Sequence, residues 1–184
     1  MERTAQGSPD VATAAERLRS PRVRAGLLAK RVLDVVISSV ALVALAPVWL
    51  VCLVLLLAGP PRTRLERRVR LGRDGRRVVL VRLGPLAGGW LGRALDRIGA
   101  REIPLLVAVV GGRLSLVGPR LLPPGEEAGH TGPRRLLAPG LTGLAQQRAT
   151  SPRTAARLDD LYVERWSFGR DAALLLAAGR RGAP

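Results

Sequence analysis

VLDVVISSVALVALAPVWLVCLVLLLA, running from Val32 to Ala58, is the most apolar stretch of this 184-residue chain and sets how the rest is arranged. An apolar run of about 20 residues is long enough to cross a bilayer as a helix. Proline removes a backbone donor and clashes with the carbonyl four residues earlier, so Pro47 predicts a break in the middle of this helix. The stretch therefore predicts a membrane helix that is bent at Pro47.

Basic residues flank this apolar stretch on both sides. Arginine and lysine next to a membrane segment favour the cytoplasmic side, and here both flanks favour the same side. A re-entrant helix, which enters one leaflet, turns near Pro47 and returns, satisfies both flanks. A spanning helix with a kink is the alternative that composition leaves open, because proline is frequent in spanning helices. The flanking basic residues are Arg17, Arg19, Arg22, Arg24, Lys30 and Arg31 on one side and Arg62, Arg64, Arg67, Arg68, Arg70, Arg73, Arg76 and Arg77 on the other.

These features predict three parts: a mobile basic tail over 1–29, a re-entrant membrane helix over 30–59, and a cytoplasmic domain over 60–184. In the last part, the turn signal Arg-Asp-Gly followed by VVLV predicts a short β-hairpin between Leu71 and Leu83. Residues 121–140 contain four prolines and four glycines, which predicts an irregular loop. Apolar residues at helical spacing predict helices over 91–98 and 154–166. Two further apolar segments, 104–110 and 171–178, are predicted to be helical from their composition and context. We therefore expect an α+β fold that is mostly helical.

The charge of the chain indicates an anionic partner. Thirty basic and 14 acidic residues give a formal net charge of +16. With only five aromatic residues, the chain has few side chains on which nucleic-acid bases could stack, so we expect no nucleic-acid partner and favour anionic membrane lipid. The single cysteine, Cys52, lies within the apolar stretch, and the single histidine, His130, has no second histidine or cysteine nearby that would make a metal site.

The segment SLVGPR, from Ser115 to Arg120, is the first motif that suggests a chemistry. Glycine and proline restrict the backbone around Arg120, and a guanidinium held in this way can bind a phosphate through two parallel hydrogen bonds. Taken alone, the motif favours a solvated surface arginine over a phosphate contact, because the chain is rich in arginine.

Several sequence blocks, in order, resemble the bacterial sugar transferases, which are monotopic polyprenyl-phosphate phosphoglycosyl transferases. Single blocks are weak signals, but their order along about residues 30–178 is specific. The similar blocks are KRVLDVVISSVALVALAP (30–47), GRDG (72–75), LGRALDRIGAREIP (91–104), SLVGPR (115–120), PGLTGLAQ (139–146) and LDDLYVERWSFGRD (158–171).

The resemblance implies a fold, a location and a reaction. The membrane helix is re-entrant, and the domain lies on the cytoplasmic face of the bacterial cytoplasmic membrane. The family transfers a phospho-sugar from a nucleotide diphosphate sugar to undecaprenyl phosphate at the start of exopolysaccharide or glycan synthesis. An aspartate in an Asp-Glu pair forms a covalent phospho-sugar intermediate, and the glutamate helps to hold Mg²⁺. By this resemblance Glu102 is the Mg²⁺ contact, Arg120 is a phosphate contact, and Arg82 is a further candidate for a phosphate or headgroup.

The sequence departs from the family pattern at the nucleophile. Counting back from SLVGPR without gaps places the Asp-Glu pair on Arg101 and Glu102. Arginine stays protonated in proteins and cannot act as this nucleophile. Asp96 is the nearest alternative carboxylate, but five residues along a helix turn it about 140° away from the original face. The segment after Arg82, which in the family ends in an Asp-Pro-Arg element, is shortened to residues 87–90.

Two functional interpretations follow, and whether the chain is an enzyme stays open between them. The first is a working phosphoglycosyl transferase with an altered site. The second is a catalytically inactive, diverged member that keeps the fold, the membrane attachment and phosphate or lipid binding, or serves as a scaffold. A basic membrane-associated or nucleic-acid-binding protein without enzymatic ancestry is disfavoured by the ordered blocks. Neither the sugar nor the oligomeric state can be derived from the sequence.

Overall fold

The computed structural model describes residues 11–58, 65–86, 89–126 and 132–181. These residues form eight α-helices, two pairs of short β-strands and several three-ten turns. The helices are α1 (Val11–Arg19), α2 (Pro21–Ala44), α3 (Ala46–Leu57), α4 (Gly89–Arg97), α5 (Ile103–Val110), α6 (Leu144–Arg148), α7 (Pro152–Glu164) and α8 (Phe168–Arg181); the strands are β1 (Leu65–Leu71), β2 (Arg77–Leu83), β3 (Ser115–Val117) and β4 (Gly140–Thr142).

The apolar stretch forms two helices, α2 and α3, which meet at Leu45 with a bend of 61°. The bend follows from Pro47, which has no N–H to continue the hydrogen-bond ladder of α2 and instead occupies the first turn of α3. In the part of the chain that the structure describes, neither helix has both the length and the apolar character to cross a bilayer alone; the bent pair has both.

The predicted tail over 1–29 is corrected from residue 11 onward, and residues 1–10 lie outside the described residues. Residues 11–29 are helical and packed: Ala14 of α1 is buried, and Arg17 donates a hydrogen bond of 3.2 Å to the carbonyl oxygen of Trp166. The predicted boundary at residue 30 falls inside α2. The sequence did not indicate packed helices here because residues 11–29 are polar and arginine-rich, and the domain covers only a narrow face of α1.

The predicted hairpin is confirmed. β1 and β2 pair antiparallel, with Leu65 opposite Leu83 and Leu71 opposite Arg77. The turn between them contains Asp74 with φ of 56° and Gly75 with φ of 73°, left-handed conformations that aspartate and glycine adopt more readily than most residues. β1 begins at Leu65, six residues earlier than the sequence indicated, because LERRVRL is too basic to be recognised as a strand.

The helices predicted over 91–98, 104–110, 154–166 and 171–178 are observed as α4, α5, α7 and α8. The irregular loop over 121–140 is irregular where it is described, apart from a three-ten turn over Pro133–Leu136 and a bridge between Leu122 and Leu71. Residues 127–131, which include His130, and residues 87–88 of the shortened segment lie outside the described residues. The mostly helical fold with a small hairpin is therefore confirmed.

Two hydrophobic clusters hold the elements together. The larger one joins β2, α5, β3, α7 and α8 around the fully buried Val109 and Val163. The smaller one packs α3 against the end of β2, α4 and the start of α5 through Cys52, Leu56, Leu83, Leu95, Ala100 and Ile103. Each fully buried leucine in such a cluster stabilises the fold by about 2 kcal/mol. The smaller cluster places the turn before α5 directly against α3.

Candidate functional site

Arg101 and Glu102, which the sequence analysis predicts at the positions of the catalytic pair, lie on a three-ten turn, Ala100–Glu102, between α4 and α5. The preceding Gly99 has φ of 72°, a conformation that ends α4 and that glycine adopts without strain. Pro104 lies in the first turn of α5 and so fixes where that helix begins. Ala100 and Ile103 are buried, whereas the side chains of the two residues between them reach the surface of the domain.

Arg101 is held by three acceptors. Its Nε donates to the carbonyl oxygen of Leu83 at 2.8 Å, and its Nη2 donates to Glu66 Oε1 at 2.7 Å. Asp96 Oδ1 lies 3.7 Å from Nε. Since only 15% of the Arg101 side chain is exposed, these contacts tie the turn to both strands of the hairpin and to α4. Arg101 is therefore a cation that joins three elements, β1, β2 and α4.

Glu102 and Arg82 form an ion pair, with 3.3 Å between Glu102 Oε1 and Arg82 Nη2. Almost half of the glutamate side chain is exposed, so water weakens the attraction between the two charges. Arg82 Nε is buried and has no hydrogen-bond partner among the described residues. A buried donor without a partner is uncommon, and an added oxygen acceptor would stabilise it.

The residues around Glu102 do not fit a Mg²⁺ site. Mg²⁺ sites in enzymes use one or two carboxylates with water and substrate phosphate completing the coordination. Here Glu102 faces Arg82, and Asp96 faces Arg101, so each carboxylate is already compensated by a guanidinium. The described ranges contain no cluster of three metal-ligating side chains. A divalent cation at this turn would have to displace an arginine or lie next to one.

Arg120 belongs to a second cluster, centred on Asp159. The Arg120 backbone N–H and its Nε each donate to Asp159 at 3.0 Å. Arg134, which is 3% exposed, also donates from Nη2 to the same carboxylate. Asp160 accepts the backbone N–H of Arg134 at 3.0 Å. One buried carboxylate thus orients two guanidiniums, and Arg120 keeps a quarter of its side chain exposed.

Close packing of glycines positions the loop that carries Arg120. β3 and β4 are parallel, and the Gly118 N–H donates to the carbonyl oxygen of Thr142 at 2.9 Å. A Cβ on Gly140 would lie 2.1 Å from the nitrogen of Gly118, and one on Gly143 would lie 2.0 Å from its carbonyl oxygen. The glycines of SLVGPR and PGLTGLAQ are therefore required because two backbones touch here, an explanation that needs no ligand.

A buried polar network joins the first and last similar blocks. Lys30 of α2 forms ion pairs with Asp34 at 3.4 Å and with Asp171 of α8 at 2.8 Å. Tyr162 donates to Asp171 at 2.7 Å, and Ser115 donates to Asp34. Burial raises the pKa of the Tyr162 phenol well above its usual value of 10.0, and the Asp171 carboxylate raises it further. The network fixes α2 to α8 and to Ser115 of β3.

The structure therefore brings the predicted site residues together in two separate groups. Arg101, Asp96, Glu102 and Arg82 lie around the turn before α5, whereas Arg120 lies with Asp159 and Arg134. Among the described residues, no ion pair links Arg120 to Glu102. Sequence reasoning missed Asp159 and Arg134, although the Asp-Asp pair inside the LDDLY block was the available signal, because side-chain partners 25 and 39 residues apart leave no local pattern.

Comparison with known proteins identifies one family and several relatives. The family described as bacterial sugar transferase matches residues 89–181. UDP-glucose:undecaprenyl-phosphate glucose-1-phosphate transferase of Caulobacter vibrioides is 30% identical over 189 residues, covering 85% of this chain and 70% of that protein. The uncharacterized sugar transferase EpsL of Bacillus subtilis is 36% identical, covering 49% of this chain and 48% of that protein.

A third relative, UDP-galactose-lipid carrier transferase of Erwinia amylovora, is 35% identical over 91 residues, which cover 46% of this chain and 19% of that protein. The matched region contains the turn before α5, the Arg120 loop and the last block, and the Caulobacter protein is similar over most of the remaining chain as well. The chain belongs to the bacterial sugar transferase family.

Proposed function

We propose that this chain is a membrane-bound sugar transferase family protein that binds phosphate-bearing substrates of the family without forming the covalent phospho-sugar intermediate. The observation that carries this proposal is Arg101. A guanidinium at the position of the nucleophile cannot attack a phosphorus atom, and its contacts to Leu83, Glu66 and Asp96 give it a structural role in place of a chemical one.

The proposed attachment is a re-entrant helix on the cytoplasmic face of the bacterial cytoplasmic membrane. Three observations support it: the 61° bend between α2 and α3, the basic residues on both flanks, and the apolar side chains that these helices leave exposed. Examples are Val40, Val43, Leu50 and Val54, each more than half exposed. The anionic lipids of that face would attract the basic flanks.

The proposed ligands are the substrates named for the relatives, a UDP-sugar and undecaprenyl phosphate. Arg120 and Arg82 are the candidate phosphate contacts. Asp159 orients the guanidinium of Arg120 from one side, and the unpartnered Nε of Arg82 could donate to a phosphate oxygen. We propose that Mg²⁺ binds weakly or not at all at Glu102, because Arg82 already compensates that carboxylate.

A second candidate function, active transfer with Asp96 as the nucleophile, is favoured by one distance. Asp96 Oδ1 lies within 3.7 Å of Arg101 Nε, so a carboxylate does reach the neighbourhood of position 101. In that reaction the carboxylate oxygen would attack the sugar-bearing phosphorus, and the bond to the nucleoside monophosphate would break. Undecaprenyl phosphate would then displace the carboxylate from the phospho-sugar.

One experiment separates the two functions. The purified full chain in detergent is incubated with UDP-glucose or UDP-galactose labelled in the sugar, with Mg²⁺ and undecaprenyl phosphate. We expect no label on the protein and no release of UMP above a protein-free control. Label that remains on denatured protein and disappears in Asp96→Asn, but not in the matched control Asp74→Asn on the hairpin turn, would establish transfer through Asp96.

Binding is measured separately, because an inactive member should still retain its ligands. We expect UDP-glucose to bind the wild-type chain and to bind about tenfold more weakly to Arg120→Ala, since a charged hydrogen bond to phosphate is lost. Arg157→Ala, which removes an exposed arginine from α7, is the matched control and should change nothing. Equal binding by all three proteins would remove Arg120 from the proposal.

A further inference from the structure

A cavity of about 860 Å³ lies between α1, the first half of α2, the hairpin turn and the segment after the three-ten turn at residue 133. Specific contacts hold its walls in place. Ala14 of α1 is buried, and Arg31 of α2 donates hydrogen bonds to the carbonyl oxygens of Val109 and Val110 at 2.6 and 2.7 Å. Its size is in the range of pockets that hold small ligands.

The cavity is distinct from both groups of candidate site residues. None of Asp96, Arg101, Glu102, Arg82 or Arg120 lines it. Gly112 and Leu114, which do line it, follow the carboxyl end of α5, whereas Glu102 lies at the amino end of that helix. Eight helical residues separate the two ends by about 12 Å.

The charge of the lining favours an anion. Of the residues that the structure describes, five basic ones line the cavity and only two acidic ones do, Asp34 and Asp74. Lys30 and Arg31 are held by their buried partners, but Arg19 and Arg24 are exposed and form no ion pair among the described residues. These two arginines stand at the junction where α1 ends and α2 begins.

Arg24 lies in an electrostatically unfavourable position. It belongs to the first turn of α2, where the helix dipole already concentrates positive charge, and that turn contains no acidic residue. Cations at this end of a 24-residue helix repel the dipole instead of complementing it. An anion bound between Arg19 and Arg24 would interact favourably with the helix dipole, and it would also accept hydrogen bonds from both guanidiniums.

The rest of the lining is apolar. Leu18, Leu27, Leu28, Leu114, Leu136 and Leu137 provide most of it. Among the described residues, Tyr162 is the only aromatic side chain in the lining. It is 4% exposed and its hydroxyl donates to Asp171 and Val117, so none of these residues offers an open ring to a nucleobase. The lining therefore combines cations at the rim with an apolar wall.

We infer that this cavity is a binding site for an anionic phospholipid, with the headgroup phosphate between Arg19 and Arg24 and the start of an acyl chain against the leucines. The helix that forms one wall, α2, continues directly into the apolar stretch, so the cavity lies where such headgroups would be found. The inference depends on the membrane attachment proposed above and is independent of the chemistry at position 101.

The test is lipid binding by the purified, delipidated full chain in detergent, followed by native mass spectrometry. The chain is titrated with phosphatidylglycerol or with phosphatidylcholine of the same acyl composition. We expect phosphatidylglycerol to bind more tightly, and Arg19→Gln combined with Arg24→Gln to weaken its binding about tenfold while leaving phosphatidylcholine unchanged. Arg153→Gln with Arg157→Gln, the same charge change on α7, is the matched control and should bind like the wild type.

A second variant tests the apolar part of the site. Ala15→Phe extends a ring from α1 into the cavity without changing any charge, and it should weaken phosphatidylglycerol binding as well. Three outcomes would each overturn the inference. The wild type could bind the two lipids equally, the two double arginine variants could lose phosphatidylglycerol binding to the same extent, or UDP-glucose could displace phosphatidylglycerol. Vesicle flotation and the sugar-labelling assay are scored separately: loss of flotation concerns the membrane attachment, and label on the protein concerns only the transferase activity.

Discussion

Arg101 determines much of the electrostatics of the turn before α5. Here a cation and an anion stand side by side, and Asp96 and Glu66 provide further negative charge to which Arg101 binds. The guanidinium is therefore an integral part of the hairpin contact, and reversing its charge would disturb the fold before it could restore any chemistry.

Replacing Arg101 should destabilise the protein. Arg101→Ala removes the hydrogen bonds to Leu83 and Glu66, and we expect the free energy of unfolding in detergent to fall by about 1–3 kcal/mol. Arg101→Asp should be worse, because it places a carboxylate among Glu66, Asp96 and Glu102, and it should not by itself restore full transfer. Denaturant titration measures the loss of stability in both variants, and UMP release measures whether Arg101→Asp restores transfer. The control is Arg97→Ala on the exposed side of α4; full activity in Arg101→Asp would contradict the expectation.

Tyr162 should make stability depend on alkaline pH. Burial raises the pKa of its phenol well above the usual 10.0, so the unfolded chain loses the phenolic proton at a lower pH than the folded chain does. The contribution of Tyr162 to stability is then complete below about pH 10 and is lost as the pH rises from there towards the folded-state pKa.

The measurement compares the free energy of unfolding of the wild type with that of Tyr162→Phe across pH 7–11. Because the chain has only one tyrosine, the difference between the two curves isolates this group. At pH 7 we expect Tyr162→Phe to be about 1 kcal/mol less stable than the wild type, because the variant lacks the hydrogen bonds to Asp171 and Val117. Above pH 10 we expect this difference in stability to narrow. If the difference in stability between the two proteins widened at high pH, folding would lower the pKa of Tyr162 and not raise it.

At the scale of elements, the two parallel strands depend on glycine. β3 and β4 have three residues each and are joined through bonds such as the one from the Gly140 N–H to the carbonyl oxygen of Pro119 at 2.9 Å. The strands are too short to be stable alone, so the close backbone contact between Gly118 and Gly140 keeps them in register. This pairing fixes the loop on which Arg120 is presented.

Gly140→Ala should therefore be strongly destabilising. Its Cβ would lie 2.1 Å from a backbone nitrogen, which a side-chain rotation cannot relieve, so the strands must separate. We expect a loss of about 3 kcal/mol or more in the free energy of unfolding. Gly169→Ala is the matched control: its Cβ meets nothing within 4 Å and it lies in α8, so that change should be neutral or slightly stabilising. Equal thermal midpoints for the two variants would refute the packing argument.

Much of this element structure could be predicted from the sequence, and the limits have physical causes. Arg-Asp-Gly specified the hairpin turn, helical spacing of apolar residues specified α4 and α7, and apolar composition and context indicated α5 and α8. β4 was missed because a three-residue strand in a glycine-rich loop has no alternation to detect. The network of Lys30, Asp34 and Asp171 was missed as a contact because its members come from opposite ends of the chain. The alignment of Arg101 was derivable, but its partner Glu66 was not.

At the scale of the whole molecule, buried charge joins the bent pair of α2 and α3 to the domain. Lys30 and Asp34 belong to α2, and Asp171 belongs to α8, so the network bridges the beginning and the end of the described chain. On the other side, α3 packs on the turn that carries Arg101 and Glu102 through the smaller cluster. The bent helix pair therefore contacts the domain at both of its arms, which is the arrangement expected if both arms start from one membrane surface.

That arrangement predicts that residues before α2 and after α3 are labelled from the same side. Single cysteines replace Arg22 or Arg68 in a Cys52→Ala background, which removes the only native thiol. A membrane-impermeant maleimide applied to intact cells should leave both untouched, and both should react once the membrane is permeabilised. The basic flanks make this the favoured orientation, because moving either cluster of arginines across the bilayer is costly. Labelling of only one of the two cysteines in intact cells would mean that the bent pair spans the membrane, and the domain could then contact only one arm from the cytoplasm.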